Sequence, residues 1–208
     1  MKDKVKDDND QYAAPPKVSV IIPMMNERKY IGKCLESMVN QDYPMASTEI
    51  FVVDGGSTDG SLDIVAEFAA RYSNIRLLGG PGVNCPAAMN IGIREAQGDI
   101  IAKVDAHGYA ARDFLTEGVR CLAKNSTVKC AGGPIRPLAE CLVAHAGILA
   151  RSSVFGVGKG VYSMGKSPGF VDSVQCGLYQ KDVFREVGLF DEVLQFGEDE
   201  EINWRIRK

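Results

Sequence analysis

The sequence predicts an α/β fold built on a mostly parallel central sheet with helices on its faces, and three observations carry that expectation. Strand-like and helix-like segments alternate four times between residues 17 and 104, the pattern of successive right-handed βαβ units. The first strand-like run, Val18-Ser19-Val20-Ile21-Ile22, is apolar and β-branched almost throughout, as expected of a strand covered on both sides. Two of the runs end in an aspartate, Asp54 and Asp105. Open α/β sheets bind their ligands beyond those carboxyl ends.

Residues 17–22 form the first expected strand, and Pro23 is expected to end it. Asn26 is placed to cap a helix that puts Tyr30, Ile31, Cys34, Leu35 and Met38 on one face. Residues 49–53 read as the second strand. It opens into Asp54-Gly55-Gly56-Ser57-Thr58-Asp59-Gly60, where Ser57, Thr58 or Asp59 can cap the next helix. Leu62, Val65, Ala66 and Ala69 mark that helix. Residues 75–78 read as a strand, 79–84 as a glycine-rich turn, and 86–96 as a helix with Pro86 in its first turn. Residues 99–104 form the fourth strand.

The second half is less regular. Strands are expected at 128–131 and 171–176, and helices at 138–150, 181–187 and 198–208. The helix at 138–150 carries an apolar stripe of Leu138, Cys141, Leu142, Ile148 and Leu149, with His145 read as a packed or pocket-lining residue. The Gly- and Ser-rich stretch 156–169 reads as a mobile loop. The last helix reaches Lys208 without a glycine cap or a proline stop. The expectation is a charged, disordered leader at 1–16 and one domain at 17–208, truncated at its C-terminus.

Composition narrows the function. With 208 residues, 45% hydrophobic and 25% charged, the chain reads as an ordinary globular domain. A formal net charge of -3 argues against a duplex-coating nucleic-acid binder, which normally shows a basic face. An anionic ligand must therefore be held by local devices such as helix N-termini or a metal ion. Six cysteines without a C-x-x-C pair, and no apolar signal segment ahead of them, point to reduced thiols in a cytosolic compartment. Cys85 reads as a loop residue and not as a nucleophile. No stretch reaches the roughly 18 apolar residues of a membrane span.

Three motifs carry chemistry. Asp54, with the glycines behind it, is either a turn former or an acceptor for a base or ribose. Asp105-Ala106-His107 places a carboxylate and an imidazole in the loop after a strand, where they serve the turn or meet one divalent ion; the pair suits Mn²⁺ better than an all-oxygen set, with Mg²⁺ the alternative. Glu198-Asp199-Glu200-Glu201 opens a helix with four acids in succession, more than capping needs. Their repulsion is expected to raise at least one pKa, as a general base requires. Arg205 is placed to pair with Glu201 one turn back.

In this order the motifs resemble the family 2 inverting glycosyltransferases of the GT-A fold, a Rossmann-like architecture. The resemblance rests on five segments: Val20-Ile21-Ile22-Pro23 with Asn26-Glu27; Asp54 to Gly60; Asn90, Gly92, Ala96 and Gly98; Asp105-Ala106-His107; and Gly188-Leu189-Phe190-Asp191-Glu192 with Glu198 to Glu201. Two departures stand out. Gly55 replaces the family's second acid after the second strand, and His107 replaces the second acid of its Asp-x-Asp metal motif. The Asp-Ala-His variant is similar to that of succinoglycan-type exopolysaccharide transferases.

The resemblance implies that Pro23, Glu27, Asp54 and Asp105 surround the nucleotide of a nucleoside-diphosphate sugar, with uridine favoured. It implies that Asp105 and His107 hold a divalent metal, Mn²⁺ or Mg²⁺, and that Asp199 is the general base. The acceptor would be a saccharide or lipid-linked saccharide at the inner face of the cytoplasmic membrane, reached through segments absent from this chain. A nucleotide-sugar-binding fragment without turnover is the first alternative. A sugar nucleotidyltransferase is the second, disfavoured because Pro23-Met24-Met25-Asn26-Glu27 stands where that class carries a Gly-rich, Arg-containing loop.

Overall fold

A six-stranded sheet in the order β3-β2-β1-β4-β6-β5 organises the chain. The structure is a computed structural model, and it describes residues 14–138, 142–152 and 169–208. The elements that build the first half are β1 (Val18–Met24), α1 (Ile31–Val39), β2 (Thr48–Asp54), α2 (Ser61–Arg71), β3 (Ile75–Gly79), α3 (Cys85–Glu95) and β4 (Ile100–Lys103). After them come α4 (Phe114–Lys124), β5 (Cys130–Ala131), α5 (Leu142–Ser152), β6 (Leu178–Gln180), α6 (Val183–Val187) and α7 (Glu198–Arg207). Strands β3, β2, β1 and β4 run parallel, while β6 lies antiparallel to both β4 and β5. The mostly parallel sheet expected from the sequence is present.

Strand alternation sorts the core into two layers. Val18, Val20, Ile22, Ile50, Val52 and Ala102 face α1, α2 and α4, where they meet Leu35, Met38, Val65, Leu115 and Val119. Ile21, Phe51, Val53 and Ile101 face the other way, onto Met89 and Ile93 of α3, Phe184 of α6 and Ile202 of α7. Because each strand contributes to both layers, it reads as a nearly unbroken apolar run.

Several local expectations are corrected. Pro23 does not end β1, which continues to Met24; Pro23 sits opposite Val53 within the parallel pair. Asn26 does not cap α1, whose N-cap position is Tyr30 with no side-chain cap bond. Asn26 instead takes a left-handed conformation (φ 57°) and accepts a hydrogen bond from the Thr58 amide, a geometry asparagine tolerates. The strand expected at 171–176 forms later, as β6, because antiparallel pairing with Ile100 to Ala102 of β4 selects Leu178–Gln180. Helix α4 was not foreseen, although Leu115, Gly118, Val119 and Leu122 bury one face at helical spacing. Residues 1–13 of the expected leader, and 156–168 of the expected mobile loop, lie outside the described residues, as do Cys141 and the side chain of His145.

Candidate active site

A cleft of about 220 Å³ opens beyond the carboxyl ends of β1, β2 and β4, lined by Pro23, Glu27, Val83, Cys85, Asp105 and His107 among others. A larger hollow of about 420 Å³ opens beside Asp99 and Ile100, at the opposite end of β4. The smaller cleft holds the expected chemistry and the position where this class of sheet binds ligands.

Asp54 supports the cleft's wall from the turn. Its carboxylate is buried and accepts hydrogen bonds from the amides of Gly56 (2.8 Å) and Ser57 (3.0 Å). It does not line the cleft, unlike its expected neighbours Pro23, Glu27 and Asp105. The glycine that departs from the family pattern has a steric reason here. A Cβ on Gly55 would stand 2.5 Å from the carbonyl oxygen of Val83, so the second acid has no room.

On the rim, His107 Nδ1 lies 3.0 Å from Glu27 Oε1. A carboxylate there accepts from Nδ1–H and leaves Nε2 with the free lone pair, the usual arrangement behind a metal-ligating histidine. Asp105 adds a carboxylate from the same loop. Among the described residues no three His, Cys, Asp or Glu side chains form a complete metal cage. Asp105 and His107 are of the donor types that a divalent cation takes, and two donors alone are short of a full set.

The second half of the site comes from α7. Gly197, at φ 80°, turns the chain into the helix, and Glu198 and Asp199 project from its first turn. The helix is fastened on three sides. Ile202 is fully buried, Asn203 donates to the carbonyl of Val174 (3.0 Å), and Arg205 donates to the carbonyls of Val187 and Leu189. Arg205 also makes the expected pair with Glu201, in a two-point contact. Asn90 of α3, buried, exchanges two hydrogen bonds with the backbone of Phe190 and so ties the segment before α7 to the sheet's helical layer.

Between Asp105 and α7 stands a residue that the sequence reading missed. Lys103, at the end of β4, is only 2% exposed, and its Nζ reaches Asp199 Oδ2 at 2.7 Å, Glu198 Oε1 at 3.0 Å and Asp105 Oδ1 at 3.4 Å. A lysine inside the apolar run Ile100-Ile101-Ala102-Lys103-Val104 was the available signal. Burial opposes its charge, but Asp199 and Asp105 outweigh burial and hold its pKa above that of a free lysine.

The Asp199 carboxyl is also raised, which for an acid disfavours the charged form. Burial pushes it up, to about 6, against the attraction of Lys103, with repulsion from Glu198 and Asp105 a lesser cause. The sequence reading expected a raised acid in this cluster and assigned it to repulsion; burial is the larger cause. Burial also works against the Glu198 charge, but Lys103 holds that carboxyl below its ordinary value. Cys85 donates its thiol to Glu198, and burial lifts the thiol to about 12, which leaves it inert as a nucleophile.

Comparison with known proteins places the chain in a family. The sequence profile described as Glycosyl transferase family 2 matches residues 19–188. A dolichyl N-acetyl-alpha-D-glucosaminyl phosphate 3-beta-D-2,3-diacetamido-2,3-dideoxy-beta-D-glucuronosyltransferase of Methanococcus voltae is 33% identical over 92% of this chain and 61% of its own length. The succinoglycan biosynthesis protein ExoA of Rhizobium meliloti is 26% identical over 91% of this chain and 57% of its own. The chain thus spans about three fifths of these relatives.

Among solved structures, the mannosyltransferase PcManGT of Pyrobaculum calidifontis, in complex with GDP-Man and Mn²⁺, superposes with a TM-score of 0.68 at 24% identity, covering 90% of this chain and 50% of that one. TarS of S. aureus in complex with UDP-GlcNAc gives 0.71 at 21%, covering 91% and 53%. At these identities the likeness is one of fold, and the fold is GT-A.

Proposed function

The chain belongs to glycosyl transferase family 2, and from that premise we propose that it carries out metal-dependent, inverting transfer of a sugar from a nucleoside-diphosphate sugar, preferentially a UDP-sugar, to an acceptor hydroxyl. The observation that carries this reading is the meeting of Asp105 and Asp199, distant in sequence, on one buried ammonium beside the cleft. A donor-side carboxylate and an acceptor-side base are thereby held in one constellation.

Pro23, Glu27 and Asp105 line the nucleotide's cleft, and Asp54 contributes by fixing the turn that forms its wall. Asp105 and His107 would hold the divalent ion, Mn²⁺ or Mg²⁺, which when bound neutralises charge on the departing diphosphate. Substitution at the anomeric carbon passes through an oxocarbenium-like state, so no protein nucleophile is needed. Asp199 takes the proton from the attacking hydroxyl. With a pKa raised to about 6, it is a stronger base than an ordinary carboxylate and still ionised at neutral pH. Attack opposite the leaving group inverts the configuration.

The acceptor is a saccharide or lipid-linked saccharide of polysaccharide or glycolipid synthesis at the inner face of the cytoplasmic membrane. Support comes from the names of the two relatives, one a dolichyl-phosphate glycan transferase and one a succinoglycan biosynthesis protein. Among the described residues no helix is long and apolar enough to cross a membrane.

Calorimetric titration with UDP, with and without Mn²⁺, tests the reading, repeated on Asp105→Ala and His107→Ala. Metal-dependent binding that both variants lose is the expected result. Silence with UDP and with GDP would remove the donor site. Binding of UDP with no turnover of any UDP-sugar would leave a binding module in its place.

A further inference from the structure

Lys103 is the buried charge whose presence the cleft alone does not explain. Side chains at alternate positions of β4 face opposite layers, and Ile101 belongs to the layer under α3, α6 and α7. Lys103, two residues on, emerges on that same side and meets the first turn of α7. An apolar residue would satisfy the packing there. An ammonium has three donors, and its three close partners are the carboxylates of Asp199, Glu198 and Asp105. It is therefore neither a nucleophile nor a free phosphate ligand.

The division of labour on Asp199 is informative. Lys103 takes Oδ2 at 2.7 Å. Oδ1 is buried and, among the described residues, has no hydrogen-bond partner. A buried carboxylate oxygen without a donor is costly unless something brings one to it. The acceptor hydroxyl of the proposed reaction is such a donor.

We propose that Lys103 is a positioning residue of the transfer reaction: by holding Asp199 through Oδ2, the shortest of its three contacts, it leaves Asp199 Oδ1 as the oxygen that receives the acceptor's proton. This rests on the glycosyltransferase reading above. The competing account is a salt bridge that only fastens α7 to the sheet. The two differ in what Lys103 acts through. A fastener affects nucleotide binding and turnover together, and independently of Asp199. A positioning residue affects turnover through Asp199 alone.

The test uses the 208-residue chain as wild type, Lys103→Met, Lys103→Arg, Asp199→Asn and the Lys103→Met/Asp199→Asn double variant. UDP affinity in Mn²⁺ is measured by calorimetry, and turnover as UDP or GDP release from UDP-glucose, UDP-N-acetylglucosamine and GDP-mannose. Expected for Lys103→Met is UDP affinity and KM within about threefold of wild type and a kcat lower by about 10²-fold or more, with no further loss on adding it to Asp199→Asn. Multiplying losses in the double variant, or UDP affinity that falls in step with kcat, would overturn the proposal.

If Lys103→Met does not fold, Lys103→Arg keeps the charge while replacing a compact ammonium by a planar fork, and the same kcat-against-KM split is expected of it. If the wild type turns over no donor, the functional reading fails first. The crystal structure of the variant that folds then decides the placement itself: an Asp199 side chain moved from its wild-type position supports the role, and one left in place overturns it.

Discussion

The imidazole of His107 is held by the carboxylate of Glu27, Nδ1 to Oε1 at 3.0 Å, across 80 residues of chain. The resemblance placed Glu27 beside the nucleoside. The structure gives it a partner at the expected metal ligand as well as a place on the cleft wall.

With the proposed metal on His107, Glu27→Gln is expected to weaken metal binding more than nucleotide binding. Losing the carboxylate behind a ligating histidine typically lowers metal affinity about 10- to 100-fold. Mn²⁺-dependent UDP affinity, measured by calorimetry, is expected to fall by that factor, while UDP binding without metal stays as it is. Equal losses with and without Mn²⁺ would return Glu27 to the nucleoside.

Asp199→Asn is expected to lower donor turnover about 10²–10⁴-fold with UDP affinity retained, because general-base catalysis typically contributes that much. The sign of the pH dependence follows from its raised pKa. The base works as the carboxylate, which predominates above about pH 6 and is protonated below. Wild-type kcat is expected to fall about tenfold per unit below that point. A flat profile down to pH 5 would mean that another group takes the proton.

Gly55→Ala is expected to destabilise the fold by about 1–3 kcal/mol, as overpacking usually does. The added Cβ would stand 2.5 Å from the Val83 carbonyl, and a backbone atom has little freedom to yield. Gly55→Asp, which restores the family's usual acid, is expected to be worse. Thermal unfolding of both variants checks this, and an unchanged Tm in Gly55→Ala would show that the 80–83 turn can shift.

Arg205→Ala removes the fork that joins α7 to Glu201, Val187 and Leu189. A loss of about 2–3 kcal/mol is expected, given about 1.5–3 for hydrogen bonds to charged groups and partial exposure of the pair. Arg205→Lys should recover little, since an ammonium cannot reproduce the fork. Urea unfolding measures both, and near-wild-type stability of Arg205→Lys would mean that charge alone suffices.

Much of this was legible because it is local. Buried parallel strands announce themselves as apolar β-branched runs, and β1 to β4 fell close to their expected places. Helix α3 formed as expected with Pro86 in its first turn, and the structure adds a cap, Asn84 accepting from the Ala87 amide. Asp105 and His107 stand in the loop after β4 and Asp199 in the first turn of α7, the positions expected from the sequence. The missed helix α4 was legible too, from the spacing of Leu115, Gly118, Val119 and Leu122. The Asn26 cap failed because side-chain capping competes with tertiary partners. Asn26 bonds to the turn after β2, reached only once β1 and β2 pair.

By itself the sequence determined the alternating α/β order, the strand-end carboxylates and the acidic start of α7, since each follows from composition and period along the chain. The tertiary structure alone decided that Lys103 joins Asp105 to Asp199, that Glu27 backs His107, and that Leu178–Gln180 is the strand beside β4. Each of these depends on a distance between segments far apart in sequence. Such distances are set when the sheet closes and its two apolar layers pack, and no run of neighbouring residues encodes them.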